Sequence, residues 1–329
     1  EVVLADGSRT WFGGTQRESS GYDLRGAFVG SEGTLGIVTK IAVRLLPKPE
    51  TIHSMLAAFT TMDAASDTVS EIIAAGMVPS ALEMMDRNTI DAVEPFYHPG
   101  YPNEAQAVLI VEVDGLVESV EEQTETVLNI CNKNGAMEIR EADDETTRAK
   151  LWETRKGAIG AYGTIAPTYY LVDGVVPRTK LREVLQQVDQ IAAELEVTVA
   201  NVFHAGDGNI HPAILFNERN PAEVKQAILA GAKILEACVA AGGALSGEHG
   251  IGIEKQAYMP LVFTKNDLES MSRLRTAFIG ESPEDAPIDV PTLAERFNPG
   301  KVFPGGAVHG EAYGITVESF RPTGTQDWQ

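Results

Sequence analysis

Apolar and polar positions along the chain recur with two periods, one suited to strands and one to helices. Residues 1–46 read as short strands and turns ending in LLPKPE, where Pro47 and Pro49 mark a boundary. Beyond it, short apolar runs predict strands at HSMLAAFT, AVLIVEV, AMEIR and TYYLVDG. Helical spacing predicts helices over 63–76, 86–94, 117–134, 144–160, 178–196 and 221–241, with a Pro- and Gly-containing loop at 95–103. In the last of these helices Val224, Ile228, Leu235 and Val239 fall on one apolar stripe. Strands in pairs alternating with helices predict an α+β domain built on a mainly antiparallel sheet. No short repeat stands out. The tract GESPEDAPIDVP (280–291) reads as a loop, and the tail after Pro304 as a segment draped on the surface.

The segment NVFHAGDGNIHPAILF, residues 201–216, reads as a hairpin with Asp207-Gly208 at its turn. Counting outward, Gly206 faces Asn209, Ala205 faces Ile210 and His204 faces His211. Directly opposed side chains share a sheet face with Cβ atoms about 5 Å apart, a separation from which two imidazoles could hold one metal ion. Packing between strands would account for the pair equally well, so a metal reading needs a third ligand. The stretch GGALSGEHGIGIEK (242–255) offers Glu248 and His249, flanked by glycines whose irregular backbone could turn both side chains into one cavity. Two histidines and a carboxylate are the ligand set of a catalytic divalent metal, Zn²⁺ above all, with Mn²⁺ and Fe²⁺ as alternatives. His249 is then left to take a proton near neutral pH. A solvated Gly-rich loop is the plainer alternative.

Two further stretches carry weaker signals. Arg155 in LWETRK could clamp a carboxylate through two parallel hydrogen bonds, or be an ordinary surface residue of its helix. In FVGSEGTLGIVTKI (28–41), Gly30, Gly33 and Gly36 recur every third residue, which is not the GxGxxG of a dinucleotide-binding turn. Backbone N–H groups there, with Ser31 and Thr34, could cradle a phosphate or a ring oxygen. Bulged strands would give the same pattern.

Composition narrows the classes. Lys+Arg 26 against Asp+Glu 47 gives −21, which argues against nucleic acid and anionic membrane surfaces as partners. No apolar run approaches the roughly 20 residues of a transmembrane helix, and a cytoplasmic location is expected. Cys131 and Cys238 lie in apolar helical patterns and read as buried free thiols, which excludes a Cys-ligated iron–sulfur cluster within this chain. The chain opens without Met inside a strand–DG–strand pattern; since a hairpin needs further strands, a larger sheet whose earlier part is absent is expected.

Taken together, these stretches resemble the FAD-linked oxidases of the vanillyl-alcohol-oxidase type, nearest the branch of glycolate oxidase D subunits and D-lactate dehydrogenases. The matching stretches are GYDLRGAFVGSEGTLGIVTKIAVRLLPKPE, ALEMMD, LWETRK, YYLVDGVVPR, ANVFHAGDGNIHP, SGEHGIGIEK and FNPGK, spread over residues 1–301. The resemblance implies a substrate domain over 51–297 with a ferredoxin-like-type antiparallel sheet and helices. On either side it implies the C-terminal remnant of an α+β FAD-binding domain (1–50) and a return segment with tail (298–329).

Residue by residue, the resemblance implies metal ligands at His204, His211 and Glu248, a catalytic base at His249, and a substrate-carboxylate anchor at Arg155. It implies FAD contacts at Gly30, Ser31, Gly33, Thr34, Gly36, Ile37 and Val38, with Asn298 at the return to the flavin domain. The implied activity is oxidation of a small 2-hydroxy acid, glycolate or D-lactate, to the 2-oxo acid, with hydride passing to FAD. Ile159 and Leu171 are apolar where some relatives that accept dicarboxylic acids carry polar groups, so a monocarboxylate is expected. The alternatives are a dehydrogenase for another D-2-hydroxy acid and a catalytically incomplete metal-binding fragment. The latter arises because the main pyrophosphate-binding loop of the relatives has no counterpart here; weak FAD binding and exposed strand edges near residues 1–12 are then expected. Expected partners are the small substrate, other oxidase subunits that carry electrons onward and give peripheral membrane association, and a second copy of the chain.

Overall fold

The computed structural model describes residues 1–14, 21–142 and 144–280. Near the start, β1 (Val2–Val3), β2 (Arg9–Thr10) and β3 (Ile37–Val38) form a small antiparallel sheet in the order β2-β1-β3. The first hairpin turns through Asp6 and Gly7, with Gly7 at φ +82° and the Ser8 N–H donating to the Asp6 carboxylate. Helix α1 (Leu24–Phe28) follows β2, and its Phe28 meets Phe12 and Phe278 with ring centroids 5.4 and 5.9 Å away. Phe278 belongs to α8 (Lys265–Ile279), so the first and last described segments pack on each other.

The main body runs β4 (Thr51–Phe59), α2 (Met62–Ala74), β5 (Ala81–Asp86), α3 (Arg87–Tyr97), β6 (Ala107–Gly115), α4 (Val117–Lys133), β7 (Glu138–Ala142) and α5 (Glu145–Ala161). It continues through β8 (Thr168–Leu171), β9 (Gly174–Val175), α6 (Leu181–Glu194), β10 (Thr198–His204), β11 (Asn209–Ile210), β12 (Pro212–Phe216) and α7 (Pro221–Ala240). Side-chain oxygens of Thr61, Asp86, Asp144 and Asn220 accept from the first turns of α2, α3, α5 and α7, contacts that contribute about 1 kcal/mol each.

These strands form one sheet, ordered β7-β4-β6-β5-β10-β11-β9, with β12 and β8 continuing the lines of β11 and β9. Every pairing is antiparallel. Taken in chain order, β4, β5, β6 and β7 stand 4-1-3-2, the ferredoxin-like arrangement. The second half repeats it in mirror order: the β8–β9 line, β10 and the β11–β12 line stand as strands 1, 2 and 3, and the bridge Val175↔Ala244 sits where a fourth would lie. The two units join edge to edge through β5 and β10. No residue repeat announces this duplication, because topology is shared while the residues differ and α3 is inserted in the first unit alone.

Strand alternation sends two side-chain sets to opposite faces. Met55, Ala57, Phe59, Met84, Leu109, Phe203 and Ile214 pack under α2, α4, α6 and α7. Leu56, Ala58, Met85, Ile110, Ala200, Val202 and Ala213 pack under α3 and α5. Four features differ from the sequence reading or were missed by it. ALEMMD is a central strand, and α8 is a helix that the apolar pattern did not reveal. The loop expected from residue 95 begins at His98, whose left-handed conformation (φ 45°) ends α3. In α7 the buried stripe is Ala227, Ala230, Gly231, Ile234, Leu235 and Cys238, rotated from the expected one. Small residues win there because the helix lies close on the sheet: a Cβ at Gly231 would sit 2.3 Å from the Tyr170 ring. Cys131 and Cys238 are free and buried, and burial pushes their thiols up to about 11 and about 12.

Candidate functional site

The sheet face that packs under α3 and α5 also carries Glu83 and His204, paired in the β5–β10 register, with His211 and Asp173 at the breaks of the β11–β12 and β8–β9 lines. The hairpin register differs from the one counted out from Asp207-Gly208. His204 pairs with Asn209 and Asn201 with Pro212, because the turn takes four residues, Ala205–Gly208. Gly208 closes it at φ +72°, with its Cα close against the Val176 carbonyl. A shift of two residues preserves the face on which a side chain points, whereas a shift of one inverts it. The two imidazoles therefore still share a face as diagonal neighbours, their centroids 5.3 Å apart.

His211 lies across from Asp173 at the break between β11 and β12, and both are buried. Its Nε2 is 3.4 Å from Glu248 Oε1 and 3.5 Å from Asp173 Oδ1, and among the described residues it has no hydrogen-bond partner. His204 Nε2 points to the same Glu248 oxygen at 3.5 Å. One ligand atom each from His204, His211 and Glu248 lies within 4.8 Å of the others, as a divalent ion requires. A second set, Asp173, His211 and His249, overlaps the first. Its carboxylate is already committed: Asp173 accepts from Ser246 Oγ, the N–H groups of Gly247, Glu248 and His249, and Lys255 Nζ. Glu248 has no such demands and is half exposed. The donor set of His204, His211 and Glu248 fits a metal, and the orphaned Nε2 of His211 is the observation that says so.

Asp173 fixes the 246–250 loop. Burial works against its charge, but His211, Ser246 and Lys255 beside it outweigh that and hold the carboxyl far below its ordinary range. Lys255 is itself buried, donating also to the Asp173 carbonyl. This anchoring stacks the His249 ring on His211, centroids 5.0 Å apart and planes within 10°. Burial lowers the His249 imidazole below its usual range, which favours a neutral ring able to accept a proton.

Arg155 reaches the site from α5, but its contact is internal. Its Nε and Nη2 lie 2.9 and 2.7 Å from Glu83 Oε2, while Glu83 Oε1 is 2.7 Å from His204 Nδ1. The hydrogen bond to Glu83 raises the His204 imidazole against the opposing effect of burial. Ile159 and Leu171 are half-buried against the core under α5.

In the Gly-rich segment, residues 29–35 form turns and bends rather than bulged strands, with the Ser31 and Thr34 N–H groups donating to Phe28 and Ser31 carbonyls. Gly30 (φ +86°) and Gly33 (φ +76°) face open space that a Cβ would enter, which leaves their backbone approachable. Gly36 has a structural reason, since a Cβ would meet the Val3 carbonyl at 2.7 Å. Ile37 and Val38 form β3 and are exposed. The segment touches the loop that follows His249 through Glu32, whose Oε2 accepts from the N–H groups of Ile251 and Gly252 at 2.8 and 3.3 Å. Asn298 lies outside the described residues.

Glu83, Asp173, Lys255 and Glu32 were not singled out by sequence reasoning. A signal existed for two of them: ALEMMD and YYLVDG place Glu83 and Asp173 among apolar strand residues. Such a charge survives burial only with partners.

Comparison with known proteins fits this geometry. Residues 48–278 match the family described as FAD linked oxidases, C-terminal domain. The chain is 43% identical over 293 residues to glycolate oxidase subunit GlcD of Escherichia coli (strain K12), covering 89% of this chain and 59% of that one. It is 39% identical to the Bacillus subtilis (strain 168) subunit, covering 92% and 62%. With a probable mitochondrial D-lactate dehydrogenase of Danio rerio it shares 33% identity, covering 79% and 53%. Among solved structures, p-cresol methylhydroxylase with substrate bound superposes with a TM-score of 0.64 at 15% identity, covering 84% of this chain and 61% of that one. The chain thus spans about three fifths of the length of the glycolate oxidase subunits it matches. No helix among the described residues is long and apolar enough to cross a membrane.

Proposed function

Since the chain belongs to the FAD-linked oxidase family, through its C-terminal domain, we propose that it forms the substrate side of a flavoenzyme oxidising a small 2-hydroxy acid to the 2-oxo acid. Its likeness to glycolate oxidase subunits and a D-lactate dehydrogenase supports that reaction class. The observation that carries the reading is the convergence of His204, His211 and Glu248 around a buried, unpartnered Nε2, with His249 stacked alongside.

The reaction removes a hydroxyl proton and a hydride from one carbon, so it needs a base and an electron acceptor. His249, whose imidazole burial shifts toward the neutral form, takes the hydroxyl proton at a ring nitrogen. His204, His211 and Glu248 would hold a divalent ion, which supplies a Lewis acid that lowers the hydroxyl pKa. FAD, when bound, supplies the hydride acceptor, and Gly30, Ser31, Gly33 and Thr34 are this chain's residues for contacting it. Arg155 gives the site a cation near the ligands, and its charge suits the substrate carboxylate. Glu32 ties the flavin-facing segment to the loop of His249, so both sides of the reaction are referenced to one backbone.

The apolar side chains of Ile159 and Leu171 favour a monocarboxylate, glycolate or D-lactate. Other oxidase subunits, onto which electrons pass, are the partners this reading calls for. The test is dye-linked turnover by the FAD-supplied protein with glycolate, D-lactate and D-2-hydroxyglutarate, together with metal analysis. A higher kcat/KM for the dicarboxylate overturns the substrate assignment. Protein that binds neither Zn²⁺ nor Mn²⁺ overturns the metal assignment.

A further inference from the structure

We propose that Glu83 is the positioning residue of the metal centre, fixing the tautomer and the ring orientation of His204, and that Arg155 in turn holds Glu83. This rests on the reading of His204 as a metal ligand. Glu83 and His204 are direct partners in the β5–β10 register, so the backbone itself sets the two side chains face to face. The Glu83 side chain is 9% exposed and both of its oxygens are engaged, Oε1 at His204 Nδ1 and Oε2 at the Arg155 guanidinium. A carboxylate facing a guanidinium offers acceptors only, so Nδ1 of His204 must carry the hydrogen. The lone pair is then on Nε2, the atom 3.5 Å from Glu248 Oε1. A ligating imidazole whose second nitrogen donates to a carboxylate is the arrangement that orients such ligands.

His211 differs. Its Nε2 also faces Glu248, and among the described residues no carboxylate pairs with its Nδ1 as Glu83 does with that of His204. Arg155 acquires a second role on this account. Its Nε edge orients Glu83, so replacing it would disturb the metal centre as well as any substrate carboxylate.

Glu83→Gln is the discriminating variant because the amide is isosteric but cannot satisfy both neighbours in the original sense. Its oxygen must face the Arg155 guanidinium, so its NH₂ faces His204 Nδ1. That favours the opposite tautomer and puts a hydrogen on the Nε2 meant for the ion. Zn²⁺ affinity of the 329-residue chain, read by competition with a chromophoric chelator, should fall roughly 10- to 100-fold in Glu83→Gln, and the Co²⁺ absorption spectrum should change. Unchanged Zn²⁺ affinity in a folded Glu83→Gln overturns the proposal. A direct measurement that needs no variant is long-range ¹H–¹⁵N correlation of the histidine rings in metal-free protein above pH 8. It should find His204 with its hydrogen on Nδ1, and the Nε2–H tautomer there overturns the proposal even if the variant fails to fold. Loss of Zn²⁺ binding in the unaltered chain would instead count against the metal reading, leaving the tautomer measurement to decide the role of Glu83.

Discussion

Lys255 and Asp173 form a buried ion pair beneath the candidate site, with Nζ 3.0 Å from Oδ2 and both side chains almost wholly enclosed. The same carboxylate collects three backbone N–H groups from the Gly-rich loop, so one aspartate sets the position of both Glu248 and His249. Replacing one member of such a pair strands the other in a poor solvent. Lys255→Met, which keeps the aliphatic length, should lower stability by about 3–5 kcal/mol. Urea unfolding measures this. A loss below about 1 kcal/mol would mean the loop is held by its other hydrogen bonds alone.

The two overlapping ligand sets share His211 and differ in His204 with Glu248 against Asp173 with His249. If His249 is the base, His249→Gln should lower kcat by a factor of about 10²–10⁴ and leave Zn²⁺ affinity unchanged. His211→Ala should abolish both. An equal loss of Zn²⁺ affinity in His249→Gln would move the ion to the second set.

Gly208 should resist substitution. Its backbone lies at φ +72°, and a Cβ would come within 2.1 Å of the Val176 carbonyl. Gly208→Ala should cost about 1–3 kcal/mol from the backbone conformation, with the steric clash in addition. Because the turn fixes the diagonal of His204 and His211, Zn²⁺ affinity should fall together with the melting temperature. A variant with unaltered melting and metal binding would refute the turn assignment.

Asp86 gives a pH dependence separate from the site. Burial outweighs the hydrogen bonds from Thr89 and Asn201 and raises its carboxyl to about 6. The folded protein therefore keeps this proton between about pH 4 and pH 6, where the unfolded chain has released it. Stability from this group is present at the acid end of that window and is lost as pH rises through about 6. The advantage of the wild type over Asp86→Asn should thus be about 2 kcal/mol larger at pH 4.5 than at pH 7, measured by urea unfolding at both. An advantage that grows toward pH 7 would show that hydrogen bonding, not burial, dominates there.

Local periodicity was enough to predict an α+β chain with an antiparallel sheet, and most helices fall within a few residues of their observed bounds. The helical repeat is long and the caps are local, so neighbouring residues carry that information. His204, His211, Glu248 and His249 were also legible, because a hairpin and a Gly-flanked pair are short-range patterns. The register was misjudged by two residues through the length of the turn, and the even shift left both histidines on one face. What no local pattern could supply were the pairings between distant segments. The duplication of the ferredoxin-like unit follows from strand order alone. Glu83 meets His204 across 121 positions, and Asp173 meets Lys255 across 82. Each of these carboxylates reads in isolation as an interruption of an apolar strand. Only the packed sheet, which removes them from water and sets a cation or an imidazole opposite, turns them into the groups that hold the site together.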